Sequence, residues 1–163
     1  MITDAVIITS AIDAHEGRDS AVINLQGAFL HVTMDDVVHM VMRGRLAELM
    51  AETAPELYRK YITYGKNGKA MLYVTLQKAL YGCLKRALLF YKKLVGEILE
   101  QGFELNPYDP CVANKMINGK HMTITWHVDD LKISHVNARE VTKIIEWFKS
   151  IYGTVHASRG KNT

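Results

Sequence analysis

Between residues 121 and 135 the chain reads HMTITWHVDDLKISH, and this stretch constrains the fold more than any other. Met122, Ile124, Trp126 and Val128 alternate before an adjacent acidic pair, Asp129 and Asp130, and Leu131 and Ile133 alternate after it. Period-two alternation marks half-buried strands, so the segment predicts two antiparallel strands joined by a tight turn that presents both acids. Neighbouring carboxylates offer the charged oxygens that hard cations such as Mg²⁺ take. Nucleotidyl and phosphoryl transfer are the reactions most often built on metals held this way. Aspartate is also a common turn residue because it satisfies local backbone N–H groups, so the pair alone leaves a plain solvated turn open.

The 163 residues are 48% hydrophobic, enough for one globular domain with a real core, and the expected organisation is a single domain over 1–163. Lys and Arg number 20 against 17 Asp and Glu, a balance that permits a polyanionic partner without demanding one. Cys83 and Cys111 lack CxxC spacing, which points away from a disulfide framework or a zinc site and towards a reducing, intracellular setting. No apolar run approaches the roughly 20 residues a membrane span needs, and the opening MITDAVIITS has no signal-peptide pattern, so a soluble protein with no membrane partner is expected.

The other segments alternate helix and strand. Residues 4–14 read as a short helix that ends near Glu16-Gly17-Arg18-Asp19, and 20–25 as a strand left through Gly27-Ala28-Phe29-Leu30. Residues 35–51 read as helical with an interruption near Arg43-Gly44-Arg45, and Pro55 opens another short helix. Tyr61–Tyr64 and Met71–Val74 flank an Asn67-Gly68 turn, which accepts the positive φ of a tight hairpin loop. From 84 to 101, Leu84, Leu88, Tyr91, Val95, Ile98 and Leu99 follow helical spacing up to Gly102. A second hairpin, 111–117 with 121–127, turns at Asn118-Gly119, and 138–152 is an amphipathic helix bearing Val141, Ile144, Ile145, Phe148 and Ile151.

Four stretches in order resemble the reverse transcriptase of Ty1/copia-type long-terminal-repeat retrotransposons. They are Gly27-Ala28-Phe29-Leu30-His31 followed by Asp35-Asp36; Leu76-Gln77-Lys78-Ala79-Leu80-Tyr81-Gly82 with Phe90-Tyr91; Gln101-Gly102-Phe103 with Asn106-Pro107-Tyr108-Asp109-Pro110-Cys111; and His127-Val128-Asp129-Asp130-Leu131. The resemblance covers about residues 11–152. It implies an α+β polymerase palm, an antiparallel sheet backed by helices, that binds RNA template, DNA primer and deoxynucleoside triphosphate. Two Mg²⁺ ions would be held by a first-motif aspartate and by Asp129 and Asp130, with Asp129 the main ligand of the hairpin. Phe29 falls where the family carries an aromatic steric gate under the incoming sugar, although a ring leaving a strand is also an ordinary core residue.

Departures from the family pattern bear on activity. Asn24 occupies the position of the first catalytic aspartate, leaving two carboxylates where the family has three. A neutral amide lends an oxygen but no charge, and the loss would slow turnover by roughly 10²–10⁴. Lys85 stands where a glutamine normally contacts substrate and Ala87 where a proline stands; Lys85 is assigned to phosphate, with a solvated Lys85-Arg86 helix start as the plain alternative. His127 replaces a tyrosine and is expected to be a half-buried strand side chain. Fingers, thumb and RNase H segments find no room in 163 residues, and the Ser158–Thr163 end falls where a further palm hairpin is expected. The expected object is thus a palm segment impaired in catalysis, the alternatives being a non-catalytic relic or weak nucleic-acid-binding module and, more remotely, an unrelated ferredoxin-like binding domain.

Overall fold

A computed structural model describes residues 3–78 and 86–160. In chain order the elements are α1 (Thr3–Glu16), β1 (Asp19–Leu25), β2 (Thr33–Arg43), α2 (Arg45–Thr53), α3 (Pro55–Tyr58), β3 (Thr63–Tyr64), β4 (Ala70–Lys78), α4 (Arg86–Glu100), β5 (Glu104–Leu105), β6 (Val112–Ile117), β7 (Lys120–His127), β8 (Asp130–His135), α5 (Ala138–Tyr152) and β9 (Val155–Gly160). Short 3-10 turns cover Ala28–His31 and Arg59–Tyr61. Two compact units form, one from Met1–Val32 with Leu84–Thr163 and the other from Thr33–Cys83.

The first unit is α+β, with a six-stranded sheet in the order β5-β6-β7-β8-β1-β9 and every neighbouring pair antiparallel. Its central path, β1, α4, β7, β8, α5, β9, is a split βαββαβ arrangement that sets β1 beside β8, with β5 and β6 added outside β7. Register sorts the side chains by face. Ala21 opposes Ile133 and Ile23 opposes Leu131 across β1 and β8, while Ile124 and Trp126 of β7 oppose the same two β8 residues. With Leu25 and Met122 these make one fully buried apolar face. Helix α5 packs on β1, β8 and β9 through Val141, Ile144, Ile145 and Phe148, and α4 contributes Phe90, Leu94 and Ile98 to the core. The opposite face carries Ser20, Val22, Asn24, Thr123, Thr125, His127, Asp130, Lys132 and Ser134. The second unit pairs β4 with β2 and β3 around a small core of Met42, Ala47, Ala70 and Leu72.

Several expectations meet the structure directly. The Asn118-Gly119 turn joins β6 to β7, with φ of 50° and 74° at the two residues, as a tight hairpin loop requires. Gly102, at φ 79°, ends α4, and α5 spans 138–152 with Asn137 as its cap, whose side chain accepts from the Arg139 N–H at 3.0 Å.

Three readings need correction. Residues 33–43 form strand β2, not a helix; Met40 and Met42 turn inward while Val37 and His39 turn out, a period-two pattern that pairing with β4 selects over the helical one. Helix α4 buries Phe90, Leu94 and Ile98, whereas Leu88 is 52% and Leu99 45% exposed, so among the described residues of the expected stripe only Ile98 is fully buried. Two apolar stripes overlap on that helix, and the ring contacts of Phe90 with Phe29 and Tyr152 decide between them. Leu84 of the expected stripe lies outside the described residues. Strand β7 is buried on both faces from Met122 to Trp126 instead of half-buried, because Thr123 and Thr125 are also covered.

Where α4 meets α5, the Tyr152 hydroxyl donates to the Glu97 carboxylate, which also pairs with Lys93. Burial first, and then the carboxylate partner, push the Tyr152 phenol well above its ordinary value. Below an unfolded-state pKa near 10 both states hold the proton and this contact contributes in full; above it the unfolded chain releases the proton first, so stability falls as pH rises. Chemical denaturation from pH 8 to 11 is expected to show a steeper loss above about pH 10 for the native chain than for Tyr152→Phe.

Candidate functional site

The β7–β8 hairpin turns in two residues, Val128 and Asp129, with His127 and Asp130 paired as the closing residues. Val128 has φ 58°, a left-handed conformation that costs a β-branched residue about 1–2 kcal/mol and that such turns normally give to glycine. A neighbouring strand holds the turn in place, since the Leu25 N–H donates to the Asp129 carbonyl at 2.9 Å. The strained residue therefore sits beside the acidic pair, on a turn clamped by β1.

Strand β1 brings Asn24 to the same place. Asn24 is the cross-strand partner of Asp130, and its Nδ2 donates to Asp130 Oδ1 at 2.7 Å. The next strand outward places His156 opposite Asn24, so one rank across the sheet runs His156, Asn24, Asp130, His127. Asp129 is half-buried and Asp130 exposed. His127 is exposed, not half-buried, because it lies at the end of β7 on the open face.

The amide changes what the site can hold. A carboxylate at position 24 would stand against Asp130 as a like charge and need a cation or a proton between them. The amide donates instead, and the pair is satisfied by itself. By charge, two adjacent carboxylates and a neutral amide would suit one hard cation and not a pair of ions. Among the described residues no group of three or more His, Cys, Asp or Glu side chains is arranged to hold a metal.

The remaining predicted residues distribute differently. Phe29 sits in the 3-10 turn that follows Gly27 (φ 63°), 3% exposed, with its ring edge-on to Phe90 at 5.8 Å. That is the environment of a core aromatic. Lys85 lies outside the described residues, so its assignment to phosphate has no geometry here, and Ala87 is exposed at the start of α4.

Sequence reasoning missed two features beside the hairpin. Strand β9, which supplies His156, has one buried apolar residue, Val155, and no alternation to betray it. A cleft of about 240 Å³ also opens between α4 and the hairpin, lined by Ala87, Phe90, Tyr91, Cys111, Trp126, His127 and Val128. Cys111, at the end of the Asn106–Cys111 stretch, forms part of its wall. Asn106 Oδ1 accepts from the Tyr108 and Asp109 N–H groups, Asp109 Oδ1 accepts from Cys111 N–H, and the Tyr91 hydroxyl donates to the Pro110 carbonyl at 3.1 Å. The Cys111 carbonyl in turn accepts from the Trp126 backbone N–H at 3.0 Å, tying this loop to the hairpin strand. Asparagine and aspartate at these two positions are thus explained by side-chain-to-backbone turns.

Comparison with protein-family models, curated proteins and solved structures gave no match. Among the described residues no helix is long and apolar enough to cross a membrane.

Proposed function

We propose that this chain carries a reverse-transcriptase palm of the Ty1/copia class in which the acidic hairpin persists and the third carboxylate is lost, with RNA template, DNA primer and deoxynucleoside triphosphate as its partners. The observation that supports this most is the meeting of Asn24 with Asp130, 106 residues apart, at one end of an antiparallel sheet. The four motifs of the resemblance require that meeting of first-motif position and hairpin; an unrelated domain with a solvated Asp-Asp turn does not.

Asp129 and Asp130 are the residues that would hold Mg²⁺, which when bound supplies Lewis-acid activation and charge neutralisation at a phosphoryl centre. The chain's own contribution is to hold the acids. Asn24 orients the Asp130 carboxylate, and the Leu25 N–H fixes the turn that carries Asp129. Asp129→Asn is expected to abolish Mg²⁺ binding in calorimetry, and equal affinity in the native and variant chains would remove Asp129 from the site.

A second reading, a non-catalytic nucleic-acid-binding module, is favoured by the same Asn24–Asp130 hydrogen bond, since it closes the site without an ion. Primer extension on an RNA template with Mg²⁺ separates the two. Product from Asn24→Asp alone supports a palm disabled by one residue, and product from both chains means Asn24 is tolerated. Oligonucleotide binding without product from either supports the module.

A further inference from the structure

A sheet with helices on both faces ordinarily buries apolar side chains on both. Here the face opposite α4 and α5 is polar, and the helix that lies on it is inside out. Asp13 is the one buried side chain of α1, whereas Ile7, Ile8 and Ile12 are 62%, 58% and 40% exposed.

Ionic and polar contacts hold α1 to the sheet. Asp13 Oδ2 pairs with Lys132 Nζ at 2.7 Å and accepts from Ser20 at 3.3 Å, and Lys132 also donates to Ser10 at 2.9 Å. Beyond the Gly17 joint, Arg18 donates to Glu16 at 2.9 Å and to Thr123 at 3.0 Å, and its guanidinium stands 3.8 Å from Asp13. Thr125 and Ser134 on the same face are buried, and the Ser134 hydroxyl has no hydrogen-bond partner. Two cations and a set of hydroxyls, covered by a helix that meets them with carboxylates, are the complement of a phosphate backbone.

We propose that α1 is a displaceable cover over a nucleic-acid-binding face, its Asp13 and Glu16 carboxylates occupying the Lys132 and Arg18 side chains that strand phosphates would take. The inference rests on the nucleic-acid reading above and adds a competing segment of the chain itself. Displacement takes the Asp13 and Glu16 carboxylates from both cations and turns the hydroxyl-bearing sheet face to the nucleic acid, while Ile7 and Ile8, already 62% and 58% exposed, stand mostly in solvent before α1 leaves.

The test uses the full chain, an oligodeoxythymidylate probe and two readouts, anisotropy and amide exchange. Two phosphate contacts predict a slope of about −1.4 for log affinity against log salt. Asp13→Asn is expected to bind about tenfold more tightly and Lys132→Gln more weakly. Glu16→Gln, whose carboxylate lies nearer the surface, tests the same release without touching buried Asp13 and is expected to shift in the same direction. In the saturated complex the amides of α1 should exchange faster while those of β8 stay protected. Binding with α1 exchange unchanged overturns the cover and leaves the nucleic-acid reading standing. Absence of binding by the native chain and all three variants at low ionic strength overturns both.

Discussion

Replacing Asn24 by aspartate is expected to make the end of the β7–β8 hairpin dependent on a divalent cation. In the native chain the Asn24 amide donates to Asp130 at 2.7 Å and no ion is required. A carboxylate there cannot donate, and two negative charges at hydrogen-bond distance repel until a proton or cation intervenes. In chelator the variant should lose about 1 kcal/mol, a fall of roughly 3 °C in Tm for a chain of this size, and Mg²⁺ should restore it. The native Tm should respond far less to Mg²⁺. If the proposed palm chemistry is present, the same variant should gain roughly 10²–10⁴ in primer extension, the range set by restoring a metal ligand. Thermal unfolding of both proteins in chelator and in Mg²⁺ is the direct check; four equal midpoints would detach Asn24 from the acidic pair.

Truncating Phe29 is expected to cost stability first and selectivity only afterwards. Its ring is buried against Phe90, which itself meets Tyr152 at 6.2 Å, so Phe29→Ala leaves a cavity at the junction of β1 and α4. Such cavities cost about 3–5 kcal/mol, whereas Phe29→Leu, which keeps most of the volume, should cost about 1.5 kcal/mol or less. A ring serving only as a surface gate under a sugar would change stability by about 0.5 kcal/mol. Urea denaturation distinguishes these outcomes. A Phe29→Ala midpoint close to native would show that the ring is not packed and would return it to the substrate side.

Elements with a local cause were legible in the chain. The Asn118-Gly119 hairpin, the Gly102 stop and the α5 stripe each follow from backbone preference or a single unambiguous periodicity. The acidic turn is legible for the same reason, whereas Asn24 enters as its partner position only through the family resemblance. The period of residues 35–43 and the buried face of α4 are not legible because each segment carries two compatible patterns. Val37–Met42 suits either period, and α4 bears two adjacent apolar stripes, so packing partners far away in sequence made the choice.

What the sequence determined by itself was the set of strongly patterned segments and the chemistry of the hairpin, because turn and strand preferences act over a few residues. Tertiary structure alone decided the rest: the division into two units, which no linker composition marks; the edge strand that brings His156 beside Asn24; the burial of Phe29; and the seating of α1 by Asp13 on Lys132. The last three depend on contacts between segments about 60 to 130 residues apart. A pairing at that range is worth little until the intervening chain has folded, so the local pattern around any one of these residues does not encode it.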